Sequence, residues 1–157
     1  MNKTFVMIHG SWHGGWAWHG VVRQLSKRGH RAQAPTLPGH RPGAIRAGVS
    51  HQDCVRSVVS YIQEQTLENV ILVGHSFGGS VIQKVAEEIP SLIERTIFLD
   101  ALIVEDGHCV RDPSAICQDQ RIHTRDNVTI IGSKVRALVA AGRRRTTATL
   151  AGPISIR

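Results

Sequence analysis

A serine placed among glycines is the strongest candidate for chemistry in this sequence of 157 residues. Residues 74–79 read Gly-His-Ser-Phe-Gly-Gly, which satisfies the pattern G-x-S-x-G with Ser76 at its centre. In this pattern the serine is a nucleophile that stands on a sharp turn between a strand and a helix, and the glycines leave room for that turn. The alternative is a glycine-rich turn that arose by chance. His75, at the variable position, is expected to pack beside the turn rather than to act as a base.

A second glycine-rich segment precedes the serine. Residues 9–16 read His-Gly-Ser-Trp-His-Gly-Gly-Trp and lie between the first predicted strand and the first predicted helix. Backbone N–H groups in such a loop approach a ligand closely, because glycine has no side chain. A loop at this position supplies one of the donors that stabilise a negatively charged oxygen during acyl transfer. The alternative is an ordinary loop that joins a strand to a helix.

The positions of both loops depend on the strands and helices that flank them, and the sequence predicts these elements in alternation. Short apolar runs predict strands at residues 5–8, 30–34, 70–73 and 96–99. Apolar residues three and four apart predict helices at residues 17–27, 51–65 and 80–89, with Ser50 as the N-cap of the second. Fully apolar strands that alternate with amphipathic helices indicate a mostly parallel sheet covered by helices on both faces. The predicted fold class is therefore α/β.

This pattern weakens after residue 106. A further strand is predicted at residues 128–131 and a further helix at residues 134–141, and the sequence has no periodicity from residue 142 onward. We therefore expect three parts in the chain. They are an N-terminal core at residues 1–106, a remodelled remainder of that core at residues 107–142 and a basic irregular tail at residues 143–157.

The net charge of +7 is concentrated in the last third of the chain. Residues 1–106 hold 10 Lys and Arg against 9 Asp and Glu, whereas residues 107–157 hold 9 against 3. The basic tail, centred on residues 143–145, has neither interleaved aromatic residues nor a recognisable nucleic-acid motif. We therefore expect no nucleic-acid partner.

Apolar segments and cysteines narrow the class of protein further. No segment approaches the roughly 18 consecutive apolar residues of a membrane span, and the N-terminus lacks the features of a signal peptide. These observations predict a soluble cytoplasmic protein with no membrane partner. The sequence has three cysteines, Cys54, Cys109 and Cys117, and none of them forms a C-x-x-C pair. This pattern favours free thiols over a disulfide framework or a zinc site.

The two glycine-rich loops, together with Leu37-Pro38-Gly39-His40, resemble one family of proteins. This family is the branch of the α/β-hydrolases that includes plant methylesterases, hydroxynitrile lyases and bacterial esterases. The resemblance is close over residues 3–110 and includes residues 98–102 and 105–107. It implies a partial α/β-hydrolase fold, from which the helical cap of the family is largely missing.

The resemblance also implies roles for individual residues. It makes Ser76 the nucleophile and makes the backbone N–H groups of Ser11 and Phe77 the oxyanion hole. The lyases of this family carry threonine at the position of Gly10, and glycine matches the esterases instead. The implied activity is hydrolysis of small carboxylic esters through an acyl-enzyme, without a metal or a cofactor.

A serine nucleophile also needs a histidine base and an acid that orients it. Residues 121–127 resemble the segment that carries the family's acid, which implies Asp126, and Asp100 is the alternative. The family's histidine has no counterpart after Asp126, so His123 and His108 are the candidates for the base. For each of these histidines the alternative is an ordinary residue at the surface or at the edge of the core. For Asp126 the alternative is a solvated carboxylate in a loop.

The family's histidine would fall near residues 149–151. Codons for Thr-Leu-Ala, read one base forward, can encode His-Ser-Pro, which is the family's pattern around that histidine. We therefore hypothesise that the C-terminal end is frameshifted or otherwise remodelled, which the nucleotide sequence would test.

An incomplete triad predicts a weak esterase. The alternative function is a non-catalytic hydrolase remnant that binds a small apolar ligand or has no activity. Loss of the last strands predicts self-association through an exposed sheet edge.

Overall fold

A computed structural model describes residues 2–103, 123–125, 128–131 and 136–137 of the chain. The strands are β1 (Thr4–Ile8), β2 (Arg31–Gln33), β3 (Val70–Ser76), β4 (Ile93–Ile103), β5 (His123–Arg125), β6 (Val128–Ile131) and β7 (Arg136–Ala137). The helices are α1 (His19–Lys27), α2 (His51–Glu64) and α3 (Phe77–Glu88), with short 3-10 turns at Gly15–Trp18 and Pro90–Leu92. Among the helices in this part of the chain, none is long and apolar enough to cross a membrane.

The described strands form one sheet in the order β2-β1-β3-β4-β6-β5, and β7 pairs with the far end of β4. All pairs are parallel except β5 with β6. The chain moves outward from β1 to β2 and then returns to place β3 on the other side of β1. Ligands of α/β proteins bind at such a reversal, outside the carboxyl ends of the strands. The crevice between the ends of β1 and β3 is therefore where a site is expected.

The two faces of the sheet are covered by different helices. Val6, Ile8 and Leu72 pack with buried residues of α2 and α3 on one face. On the other face, Met7 and Ile71 pack with Trp18 and with apolar residues of α1. Side chains of a strand alternate between faces, so strands covered on both sides must be apolar throughout. This arrangement confirms the predicted α/β class.

Helix α2 begins with a reciprocal cap, as its sequence predicts. The Asp53 N–H donates to Ser50 Oγ at 3.1 Å, and the Ser50 N–H donates to Asp53 Oδ2 at 2.8 Å. Each bond satisfies a backbone donor that has no partner inside the helix. The hydrogen bonds from the Ser50 side chain and backbone hold the pKa of Asp53 well below its usual range, and Arg56 adds to this effect.

The region after residue 106 is predicted less well. The strand at residues 128–131 is confirmed, since β6 pairs with the middle of β4. The helix predicted at residues 134–141 is wrong at residues 136–137, which form β7 beside Leu102 and Ile103. The end of β4 extends past β6, and its free backbone groups take this extended segment as a partner. The tail at residues 143–157 lies outside the described residues, so the three-part division stays a prediction.

Candidate active site

Ser76 occupies the junction between β3 and α3, where the backbone turns sharply. Its φ of 51° and ψ of −122° lie in a region that side-chain-bearing residues rarely adopt. Strained backbone of this kind persists only where the surrounding structure enforces it, and it concentrates at functional sites. The tight strand-to-helix turn predicted for the G-x-S-x-G pattern is therefore present.

Two glycines allow this turn because no side chain fits beside it. A Cβ atom on Gly74 would lie 2.7 Å from the carbonyl oxygen of Gly78. A Cβ atom on Gly78 would lie 2.5 Å from the carbonyl oxygen of Ile8. The first turn of α3 therefore packs directly on the backbone at the end of β1. This contact draws the serine turn and the glycine-rich loop of residues 9–16 together.

The loop after β1 reaches the serine itself. A Cβ atom on Gly10 would lie 3.1 Å from the Cβ atom and 3.5 Å from the Oγ atom of Ser76. Ser11 follows Gly10, and Phe77 is the first residue of α3. The N–H groups in the first turn of a helix have no partner inside the helix, and the helix dipole makes that end electropositive. The segments that carry both proposed oxyanion donors thus meet at Ser76.

His9, which the sequence analysis left without a role, is buried at the base of this loop with 1% of its surface exposed. Its Nδ1 atom lies 2.8 Å from the Gly10 carbonyl oxygen, and its Nε2 atom accepts the Leu37 N–H at 3.0 Å. Burial lowers the pKa of His9, and the proximity of His40 and His13 lowers it further. The hydrogen bond to the Gly10 carbonyl oxygen acts in the opposite direction. The signal in the sequence is a histidine that directly follows an apolar strand and precedes a glycine.

A series of ring contacts links His9 to Phe77, the residue that follows Ser76. The His9 and His40 ring centroids are 5.1 Å apart, and the His40 ring stacks on Phe77 at 6.2 Å with 15° between the planes. His51 meets the Phe77 ring edge-on at 5.7 Å. On the other side, the His13 ring lies 6.3 Å from that of His75. Within the described part of the chain, none of these imidazoles is hydrogen-bonded to Ser76.

His51 contacts the first turns of α3 through the hydroxyl group of Ser80. Ser80 Oγ donates to the Phe77 carbonyl oxygen at 2.8 Å, so its oxygen is left to accept from His51 Nε2 at 3.1 Å. Burial lowers the pKa of His51, and the nearby Lys84 adds to this effect. The described hydrogen bond of the His51 ring is therefore to Ser80, with Nε2 as its donor.

A groove of about 280 Å³ lies beside the Phe77 ring. It is lined by Pro38, Gly39, His40, Arg46, Val49, Ser50, His51, Cys54 and Phe77. Among the described residues, no group of three or more His, Cys, Asp or Glu side chains is placed to hold a metal ion. The groove presents rings and apolar atoms, which suit an organic ligand.

Asp100, the alternative acid, stands next to Ser76 across the sheet. The register passes from His75 opposite Leu99 to Ser76 opposite Ala101, so Asp100 is bulged out between the two pairs. Its φ of 42° is again unusual for a residue with a side chain, and the residue is exposed. Asp100 is therefore a strained, exposed residue on the strand next to Ser76.

The structure does not bring His123 to Ser76. On β5, His123 is in register with Ile130 of β6. Ile130 is in register with Phe98 of β4, and Phe98 is in register with Gly74 of β3. Three strand spacings separate His123 from Gly74, a distance of about 14 Å.

Asp126 and His108 lie outside the described residues. The neighbours of Asp126 are described, and Arg125 pairs with Val128 at the amino end of β6. Val128 is in register with Thr96 and through it with Leu72, four residues before Ser76 on β3. Arg125 and Val128 thus lie at the end of the sheet opposite the serine.

Comparison with known proteins agrees with this architecture. The model of the alpha/beta hydrolase family matches residues 5–153. A carbendazim-hydrolyzing esterase from Nocardioides sp. (strain SG-4G) is 42% identical over 106 residues, which are 66% of this chain and 44% of that esterase. Methylesterase 1 and an alpha-hydroxynitrile lyase of Arabidopsis thaliana are each 33% identical, over 68% and 66% of this chain and 42% of each relative.

A solved structure shows the same likeness in three dimensions. An extracellular α/β-hydrolase from a Paenibacillus species, described as sharing structural and functional homology with tobacco salicylic acid binding protein 2, superimposes with a TM-score of 0.64. It is 43% identical over 67% of this chain and 43% of its own. The chain spans less than half the length of these relatives. The family model, the sheet and the strained serine turn agree, and the chain belongs to the alpha/beta hydrolase family.

Proposed function

We propose that this chain hydrolyses small carboxylic esters through an acyl-enzyme formed at Ser76. The observation that carries the proposal is the strained turn at Ser76 together with the close approach of Gly10 to that serine. The named activities of relatives support the ester class, since they include a carbendazim-hydrolyzing esterase and a methylesterase. Glycine at position 10 leaves space above the serine, which suits an ester carbonyl group.

The proposed chemistry follows the usual course for a serine nucleophile. Ser76 Oγ attacks the ester carbonyl carbon while a base takes its proton. The N–H groups of Ser11 and Phe77 stabilise the negative oxygen of the tetrahedral intermediate. The bond to the alcohol then breaks, the base returns the proton to the leaving oxygen, and water releases the acid in a second round. Removing a single such donor commonly costs about a hundredfold to a thousandfold in kcat.

Position favours Asp100 over Asp126 as the proposed acid. Asp100 is exposed in the bulge of β4 that lies between the partners of His75 and Ser76. The resemblance implies Asp126, whose described neighbours lie at the far end of the sheet. The base must come within about 3 Å of the serine hydroxyl. The backbone position of His123 disfavours it for that role.

The second candidate function is ligand binding without turnover. The groove beside Phe77, with a volume of about 280 Å³, favours this function because it is lined by Val49, Cys54 and three rings. A small planar apolar molecule fits its size and chemistry. In this function the serine turn has no role beyond the architecture of the fold.

Hydrolysis of p-nitrophenyl butyrate by the full chain separates the two functions. We expect turnover that disappears in Ser76→Ala and persists in Ser57→Ala. Ser57 is a matched control, because its hydroxyl donates to the Cys54 carbonyl oxygen within α2. His123→Ala is expected to keep the wild-type rate. A fluorophosphonate probe should label the wild type and not Ser76→Ala.

Equal background rates in the wild type and Ser76→Ala, without labelling, would exclude the esterase. Binding of an apolar dye in the groove, weakened by a substitution at Val49, would then support the ligand-binding function. Turnover that survives in Ser76→Ala but not in His123→Ala would contradict the proposed nucleophile.

A further inference from the structure

We infer that His9 is a positioning residue that holds the Gly10–Ser11 peptide so that the Ser11 N–H faces the reacting oxygen above Ser76. This inference rests on the proposed function. It concerns a group that does not touch the substrate and that acts through the backbone. The support comes from the hydrogen bonds, the burial and the ring contacts of His9.

The hydrogen bonds of His9 determine its tautomer. The Leu37 backbone N–H can only donate, so His9 Nε2 must carry a lone pair. The Gly10 carbonyl oxygen can only accept, so His9 Nδ1 must carry the proton. His9 is therefore a neutral imidazole with hydrogen on Nδ1. A second proton on Nε2 would break the bond to Leu37.

This bond fixes the orientation of one peptide unit. The Gly10 carbonyl oxygen accepts from His9 Nδ1 at 2.8 Å and from the His13 N–H at 3.2 Å. The described peptide bonds are all trans, so the Ser11 N–H of the same unit points in the opposite direction. Because Gly10 lies against Ser76, holding this carbonyl oxygen also holds the proposed oxyanion donor.

The imidazole itself is held by the loop after β2. Leu37, which donates to Nε2, is 1% exposed, so this bond is sheltered from water. His40 lies against the His9 ring and donates its own Nδ1–H to the Pro38 carbonyl oxygen at 2.8 Å. The His40 ring also stacks on Phe77, the residue that carries the second proposed donor. One set of contacts thus links both donors.

Two substitutions separate the two hydrogen bonds of His9. In His9→Asn the side-chain amide can take the place of Nδ1 and donate to Gly10, but it does not reach Leu37. In His9→Gln the side-chain oxygen can take the place of Nε2 and accept from Leu37, but the donor to Gly10 is lost. The measurements are kcat and KM for p-nitrophenyl butyrate, with the melting temperature of each variant.

We expect His9→Asn to keep kcat within about threefold of the wild type. We expect His9→Gln to lose about tenfold to a hundredfold in kcat, which is less than the loss of a whole oxyanion donor. The KM of both variants should change little, because the donor acts in the transition state. A role limited to packing predicts equal losses that follow the melting temperature, and equal losses would overturn the inference.

Nuclear magnetic resonance tests the same inference without turnover. In the ¹⁵N-labelled full chain at pH 7.5, we expect His9 to carry its proton on Nδ1 and the Ser11 amide resonance to move more in His9→Gln than in His9→Asn. A proton on Nε2, or a Ser11 amide unaffected by both substitutions, would overturn the inference. Absence of Ser76-dependent turnover would instead remove the proposed function, and the resonance results would still decide the role of His9.

Discussion

Asp100 stands in a bulge of β4 beside Ser76, because the pairing of β3 with β4 skips it between Leu99 and Ala101. Both residues have positive φ values, 51° for Ser76 and 42° for Asp100. β3 thus ends in strained backbone at Ser76, and β4 has strained backbone at the neighbouring position. Strain in two neighbouring side-chain-bearing residues points to a shared functional requirement.

Substitution of the two candidate acids tests this relationship. We expect Asp100→Asn to lower kcat by several orders of magnitude, because an amide cannot stabilise the charged base, and Asp126→Asn to have a small effect. The measurement is kcat for p-nitrophenyl butyrate with each variant, with the melting temperature as control. A large loss of kcat in Asp126→Asn and a small one in Asp100→Asn would contradict this prediction. Asp126 would then be the acid, as the family resemblance implies.

Alanine at Gly10 is expected to impair turnover without unfolding the protein. Its Cβ atom would lie 3.1 Å from Ser76 Cβ and 3.5 Å from Ser76 Oγ, so the loop must shift by a few tenths of an ångström. A shift of that size moves the Ser11 donor, and we expect kcat to fall by about tenfold or more.

Gly20→Ala is the matched control for Gly10→Ala. Gly20 lies in α1, and a Cβ atom there would meet nothing within 4 Å. We expect wild-type kcat and a gain of about 0.5–1 kcal/mol in the free energy of unfolding, because alanine favours a helix. Unchanged kcat in Gly10→Ala would contradict the contact between this loop and Ser76.

The free energy of unfolding should fall as the pH drops below about 6.5. Burial lowers the pKa of His9 in the folded chain below the ordinary value of 6.5, so the unfolded chain binds more protons in this range. The contribution of neutral His9 to the free energy of unfolding is therefore fully present above pH 6.5. It is lost as the pH falls towards the lower pKa that His9 has in the folded chain. His40 and His13 contribute to this lowering of the His9 pKa. The pKa of His51 is lowered as well, so His51 adds a contribution of the same sign.

Denaturant titrations between pH 5 and pH 8 measure this dependence. Each unit by which burial lowers the His9 pKa corresponds to about 1.4 kcal/mol. We expect a shallower slope in His9→Asn, which has no titrating group at that position. Identical slopes in the two proteins would show that His9 does not titrate in this range.

Self-association through a sheet edge stays a prediction. The described sheet ends in two strands of three residues each, β2 and β5, whose outer backbone groups have no strand partner among the described residues. Such edges pair with further chains unless they are covered. Light scattering should give a mass above that of the monomer at high concentration. A monomer throughout the concentration range would contradict the prediction.

Much of the fold and of the nucleophile turn could be predicted from the sequence by itself. The run Val70–Val73 predicts a buried strand, and the glycines around Ser76 predict a turn in which a side chain would collide with the backbone. Both signals are local. They reflect the periodicity of side chains and the steric limits of backbone angles, which contiguous residues determine.

Only the tertiary structure decided which distant residues meet at the site. The distance between His123 and Ser76 depends on the order and register of four strands. The bulge at Asp100 depends on how β4 aligns with β3, and the tautomer of His9 depends on a backbone donor 28 residues away. Contacts of this kind result from packing between segments that are far apart in the chain, so no local pattern predicts them.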